Sequence, residues 1–206
     1  MEERTRTGEI VLVRHGETEW SRTGQHTGRS DIPLTPYGED QAASLRADLD
    51  RPFAVVLSSP LARARRTAEL AGFFHATNTD DLLEWDYGDV DGVTHDDYVM
   101  RREAAGLGDW NLWTDGAPGG ESPDDVAARA DRVIAQVLPT LTGEAGARGD
   151  VLLFAHGHLL CVLAARWLSR PASAGQDVVL DAGHRGVLGL KRGHRIIRHW
   201  NLPPAA

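Results

Sequence analysis

The chain has 206 residues, 41% hydrophobic and 25% charged, which fits one moderately large domain with a packed core. Its formal net charge of −8 excludes the broad basic surface that grips a nucleic-acid backbone, yet leaves a few local arginines free to hold a small anion. The single cysteine, Cys161, excludes an internal disulfide and fits a reducing compartment; placed in the apolar run LLCVLAARWL, it is expected to be buried packing. The polar start MEERTRTGE carries no apolar signal segment, and no run approaches the roughly 18 apolar residues that span a bilayer. The expectation is a soluble, cytoplasmic protein with no membrane or nucleic-acid partner.

In chain order, Glu9 to His15 is rich in β-branched residues and reads as a strand covered on both faces. Thr35-Pro36 offers an N-cap and a first-turn proline for a helix with Ala42, Leu45 and Leu49 at helical spacing. Phe53 to Ser59 is a second buried strand. From Pro60 a second helix presents Leu61, Ala64, Ala68 and Ala71 on one side and arginines elsewhere. The stretch 77–122 holds tryptophans, acids and seven glycines without sustained periodicity; it is expected to pass over one end of the sheet, with one short helix near 96–105. Ser122-Pro123-Asp124-Asp125 starts a helix with the stripe Val126, Ala130, Val133, Ile134, Val137 and Leu138. GEAGARGD (143–150) is expected to be a mobile connector. VLLFAH (151–156) is a third buried strand that ends in histidine and runs into a helix, and VLGLK and RIIRHW form a closing hairpin around Arg192-Gly193-His194.

Strands alternating with helices predict an α/β sandwich with a mostly parallel sheet, whose ligand crevice lies beyond the carboxyl ends of the strands. His15 and His156 each end a strand and each precedes a glycine, Gly16 and Gly157, which lets the backbone turn and approach a ligand closely. Arg14, Arg63 and Glu84 are expected at the same crevice. Two imidazoles and two guanidiniums suit phosphate oxygens. An unprotonated imidazole can attack phosphorus, a second, protonated histidine and the arginines can stabilise the equatorial oxygens, and a carboxylic acid can protonate the leaving oxygen.

The ordered motifs LVRHGETEW, SSPLARARRTAE, LLEWDYGDVDG and FAHGH resemble the histidine phosphatase superfamily, which includes cofactor-dependent phosphoglycerate mutases, over residues 9–200. The resemblance implies a three-layer α/β/α sandwich, one histidine phosphatase domain over 1–206 with a lid-like specificity excursion at 77–122, and no metal or organic cofactor for hydrolysis. It implies that His15 becomes phosphorylated, that Arg14, Arg63 and His156 line the phosphate pocket, and that Glu84 occupies the proton donor's position, ahead of Asp86, Asp89 and Asp91. It also places Thr27 and Gly28 near the substrate and Tyr87 beside Glu84.

Departures from the mutase pattern bear on the reaction. Ser21 stands where mutases carry asparagine, no lysine lies near His95, and neither Asn111 nor Leu112 of WNLWTD is basic. Fewer cations for a second acidic group favour release of the intermediate, hence a phosphatase over a mutase, with a non-catalytic phospho-ligand module as a third reading. The segment RHGETEWSRTGQHTGRSDIPLTPYGEDQ, with WNLWTDG and FAHGH, is similar to the subgroup of fungal sedoheptulose-1,7-bisphosphatases and bacterial sugar-phosphate or acid phosphatases. A small phosphorylated metabolite, first of all a sugar phosphate, is therefore the expected partner, and a homodimer is compatible with the reading. Arg101 and Arg102 fit either a distal phosphate or a solvated helix face. Trp85, Trp110 and Trp113 fit either sugar stacking or packing. His156-Gly157-His158 has the spacing of a metal pair but no third ligand cluster, so no metal is expected.

Overall fold

The computed structural model describes residues 7–142 and 149–205, so MEERTR and most of the connector expected at 143–150 lie outside the described residues. A six-stranded sheet runs in the order β3-β2-β4-β1-β5-β6. β1 (Ile10–Arg14), β2 (Val55–Ser58), β3 (Thr77–Asn78) and β4 (Val151–Ala155) are parallel, and β5 (Arg185–Lys191) and β6 (His194–Leu202) add an antiparallel edge. β4 inserts between β1 and β2, which is the crossover a parallel core requires.

Alternate residues of the central strands feed two separate cores. Ile10, Leu12, Val151 and Leu153 pack with α6 (Pro123–Thr142) and α7 (Gly157–Trp167), whereas Val11, Val13, Leu152 and Phe154 pack with α2 (Pro36–Asp48) and α3 (Ala62–Leu70). With both faces covered, these strands read as continuous apolar runs because neither side may be polar. Three layers, helix on sheet on helix, result.

The helix-start signals act as expected at α2, where the Thr35 side chain accepts from the Gly38 N–H and Pro36 opens the first turn. α3 begins at Ala62 rather than at Pro60, because Leu61 stays extended (ψ 138°) and the Ser59 hydroxyl accepts from the Leu61 N–H. The strands are shorter than expected: Glu9 and His15 flank β1, and Phe53 and Ser59 lie outside β2. The closing turn is Arg192-Gly193 alone, both at positive φ (53° and 80°), the two-residue geometry that matches strand twist.

The excursion holds more order than its composition suggests. β3 pairs with β2 at Leu57 and Ser58, short 3-10 turns cover Asp80–Leu82 and Gly88–Val90, and two helices follow, α4 (His95–Ala104) and α5 (Leu112–Asp115). A small helix, α1 (Glu19–Thr23), was also unannounced by periodicity; Thr18 and Ser21 close it with reciprocal capping bonds.

Candidate active site

Register explains why two histidines 141 positions apart meet. β1 and β4 are hydrogen-bonded neighbours with Arg14 opposite Ala155, so the next residue on each is a histidine leaving the same rim. The His15 N–H donates to the Ala155 carbonyl at 3.0 Å, and the two rings lie 5.2 Å apart, edge to face. Gly16 is needed beneath them: a Cβ there would sit 2.2 Å from the Gly38 carbonyl oxygen.

The state of His15 follows from one bond. Nδ1 lies 2.7 Å from the Gly16 carbonyl oxygen, which can only accept, so Nδ1 carries the proton and Nε2 keeps a lone pair. Burial, with Arg63 and Arg14 adding positive charge nearby, holds His15 well below the usual imidazole pKa of 6.5. It is therefore a neutral imidazole with a free nitrogen.

The second histidine is neutral too, which corrects the expectation of a protonated one. His156 Nδ1 accepts from Arg63 Nε (3.2 Å), leaving the proton on Nε2, which meets the Ser59 hydroxyl at 2.8 Å. Burial first, then Arg63 and His15, drives its pKa well below 6.5. Arg63 and His156 are fully buried, and neither is among the residues that line the cavity in front of His15. Arg63 spends its remaining bonds on the carbonyls of Ser30, Thr27 and Gly28 (2.8–3.0 Å), so in this arrangement it ties the loop after α1 to His156.

A cavity of about 460 Å³ opens in front of His15, and Arg14, Ser21, Thr27, Glu84, Tyr87 and Gly157 share its wall. Arg14 Nη1 donates to the Leu180 carbonyl at 2.7 Å, whereas its buried Nε has no hydrogen-bond partner among the described residues. A buried donor left open beside a neutral nucleophile suits an anionic oxygen. Gly157 allows this placement, since a Cβ would come 3.2 Å from the guanidinium carbon.

Glu84 is 5% exposed and sits at the N-terminal end of α7. Its Oε1 accepts from the Trp85 and Leu159 N–H groups (2.8 and 2.9 Å) and Oε2 from His158 N–H (3.1 Å), so Oε2 retains the larger spare capacity for a proton. Neither Asp86, Asp89 nor Asp91 lines the cavity; Asp91 instead accepts from Gly28 and Ser30.

The remaining expected residues divide by environment. Ser21 faces the cavity with its hydroxyl engaged in the α1 cap, and Thr27 lines it, whereas Gly28 packs under Trp85 and Tyr87 and is outside the lining. Tyr87 is buried against His158, its hydroxyl bonded to Nδ1. Trp85 and Trp110 are packing residues with indole N–H bonds to the Glu121 and Gly116 carbonyls, and Trp113 alone of the three faces the cavity. Arg101 and Arg102 are outside the lining; Arg102 lies over Tyr98 and donates to the Gly108 carbonyl. Among the described residues no cluster of three or more His, Cys, Asp or Glu is placed to hold a metal. Cys161 is buried, and burial pushes its thiol up to about 12.

The pattern of the histidine phosphatase superfamily (branch 1) matches residues 10–203 of this chain. The chain belongs to the histidine phosphatase superfamily. Its similarity to named members is broad: 36% identity over 183 residues to the sedoheptulose 1,7-bisphosphatase of Saccharomyces cerevisiae, covering 78% of this chain and 68% of that one. An acid phosphatase of Mycobacterium tuberculosis is 36% identical over 193 residues, covering 92% and 90%. The solved structure of an open-reading-frame product of Mycobacterium tuberculosis superposes with a TM-score of 0.88 at 34% identity, covering 97% of this chain and all of that one. The chain is a phosphoric monoester hydrolase of this superfamily, in keeping with these phosphatase relatives. No helix among the described residues is long and apolar enough to cross a membrane.

Sequence reasoning passed over several residues that this histidine phosphatase places around the site. His26, His95 and Gln176 line the cavity, and Ser59 holds His156. Most consequential is Arg129 on α6, only 7% exposed. Its Nη1 donates to the Asp81 and Leu83 carbonyls (3.1 and 2.7 Å) and its Nη2 to the Glu84 carbonyl (3.3 Å). Nε and Nη2 also clasp Glu121 at 2.8 Å each, and Glu121 Oε2 accepts from Asp86 N–H. Three of these bonds thus hold the backbone up to Glu84 directly, and the two to Glu121 hold Asp86 beyond it through the Glu121 carboxylate. Only one hint was available: an arginine on the apolar side of the α6 stripe, one position before Ala130.

Proposed function

We propose that the protein hydrolyses a small phosphorylated metabolite, in first place a sugar phosphate, through a phosphohistidine on His15 with no metal in the mechanism. The observation that carries this reading is the His15 tautomer: Nδ1 committed to the Gly16 carbonyl and Nε2 bare. In the first step the Nε2 lone pair attacks phosphorus and the P–O bond to the alcohol breaks. A proton from the Glu84 carboxyl passes to the departing oxygen. Arg14, through its open Nε, and the Nε2–H of His156, released from Ser59, stabilise the equatorial oxygens. In the second step Glu84, now a carboxylate, takes a proton from water. The resulting hydroxyl oxygen attacks phosphorus, the P–N bond breaks, inorganic phosphate leaves, and both His15 and Glu84 return to their starting states. The charges this sequence needs come from Arg14 and Glu84 on the cavity wall, with His156 joining them once its Nε2–H turns from Ser59.

The relatives named as a sugar bisphosphatase and an acid phosphatase support a monoester substrate. Hydrolysis rather than transfer is supported by Asn111 and Leu112, which both face the cavity and offer no cation to retain a doubly anionic intermediate. A shared phosphoenzyme has a kinetic signature. With methanol present it partitions between methanol and water in one ratio whatever alcohol has already left. Equal methyl phosphate to phosphate ratios from p-nitrophenyl phosphate and a sugar phosphate are expected, and ratios that follow the leaving group would refute the intermediate.

A further inference from the structure

The cavity is divided by charge. Among the described residues, Arg14 is the only arginine or lysine on its wall and Glu84 the only carboxylate, and both belong to the phosphoryl end. Arg14 is anchored by its bond to the Leu180 carbonyl. The remaining space, in a cavity of about 460 Å³, is far more than one phosphate fills, and its wall is made of imidazoles, amides and apolar groups. None of the described residues places a fixed cation there.

The polar groups of that outer part do not form a phosphate site. His26 Nδ1 lies 2.8 Å from the Val93 carbonyl, so its proton is committed there and Nε2 is an acceptor. Burial lowers the His26 pKa, which keeps it in that state. His158 Nδ1 is hydrogen-bonded to the Tyr87 hydroxyl; burial holds this imidazole at about 4 and Tyr87 well above its usual value, so neither is charged near neutrality. Gln176 adds an amide with donor and acceptor ends, whereas the Gln25 amide donates to the Gly92 carbonyl and accepts from the Thr23 hydroxyl. A hydroxyl both donates and accepts and can satisfy such an alternating wall. A phosphate dianion only accepts, so it would meet the His26 nitrogen with no proton between them and would lose its hydration without a counter-charge. Trp113 and Val178 give the flat apolar contact that the carbon face of a polyol needs.

We propose that the leaving-group end of this cavity selects an uncharged, hydroxyl-bearing group, so that the preferred substrate carries a single phosphate and a second phosphate on the same skeleton is selected against. This rests on the phosphatase reading above. It also departs from the bisphosphate in the name of the yeast relative.

The test is competition against p-nitrophenyl phosphate hydrolysis by the whole protein, read at pH 8, where an imidazole of ordinary pKa is uncharged. Glucose 6-phosphate and glucose 1,6-bisphosphate share a skeleton and differ by one phosphate. The monophosphate is expected to inhibit at least about tenfold more tightly, the factor that one forgone charge-assisted bond implies. Equal inhibition, or tighter inhibition by the bisphosphate, would overturn the proposal while leaving the phosphatase reading intact. Failure to hydrolyse p-nitrophenyl phosphate would instead overturn that parent reading, and this inference with it. A charge-adding variant supplies the converse. Gln176 is exposed on the cavity wall, and Gln176→Arg should narrow the gap by about threefold to tenfold by improving the bisphosphate. An unchanged gap would show that wall charge does not set the selection.

Discussion

The two ends of the cavity are built by different means. At the phosphoryl end, His15 and His156 are placed by strand register, and each leaves an interior parallel strand whose two faces are buried. At the leaving-group end, His26, His95 and Trp113 come from loops and short helices held by local bonds, such as the Gln25–Thr94 bridge and the Arg129 brace. Rigid placement suits groups that must meet phosphorus within a fraction of an ångström, whereas irregular segments can change composition without disturbing the sheet. Chemistry is therefore expected to fail sharply when the first end is altered, and selectivity to drift when the second is.

The largest effect is expected at the strand rim. His15→Ala should lower phosphate release by about 10⁴-fold or more, because it removes the free imidazole nitrogen that attacks phosphorus. Clean His15→Ala protein that retains a tenth of wild-type turnover would break the assignment. Glu84→Gln probes the boundary between the two ends. It should slow sugar phosphates by about 10²- to 10⁴-fold and p-nitrophenyl phosphate far less, since nitrophenolate leaves without a proton. Equal losses on the two substrates would remove Glu84 from the donor role.

Arg129→Met tests whether the excursion matters to chemistry only through Glu84. Stability should fall on the order of 3 kcal/mol from breaking the buried Arg129–Glu121 pair, read by denaturant midpoint. If the brace positions the donor, the variant should also widen the rate gap between aryl and sugar phosphates by about tenfold. A uniform loss on both would leave Arg129 a purely structural residue.

The acid side of the pH profile gives the most gradual effect. His15, His156 and His158 all have folded-state pKa values below 6.5, so as pH falls under 6.5 the unfolded chain takes up protons that the folded one refuses. Their contribution is whole above pH 6.5 and is lost progressively below it. His158, at about 4, alone accounts for on the order of 3 kcal/mol by the bottom of that window. For catalysis the same direction keeps Nε2 of His15 free at pH 6, so no loss of kcat/KM assignable to His15 should occur near 6.5. A nucleophile titrating at 6.5 would show that His15 is less enclosed than described.

How much was legible beforehand follows the same division. Apolar runs ending in histidine exposed the strand rim, because burial on two faces leaves a one-dimensional signature and the glycine after each histidine marks the turn. Glu84 was reachable only through its motif, since spacing alone does not separate it from Asp86, Asp89 and Asp91. Gly28, expected near the substrate, has the Trp85 backbone and the Tyr87 ring as its surroundings, which its motif alone does not reveal. Arg129, His26 and Ser59 were hidden for one physical reason: their roles depend on which distant backbone atoms they face, and no local periodicity encodes that. The protonation of His156 was misread because the sequence shows a neighbouring arginine as a charge, not as a donor to Nδ1.

The transfer of the phosphoryl group to one particular nitrogen is most directly tested by quenching the enzyme in alkali during turnover of p-nitrophenyl phosphate and mapping the bound phosphate by mass spectrometry. An acid-labile phosphate on His15 is predicted. Phosphate on His156 or on any other side chain, with His15 unmodified, would contradict the account.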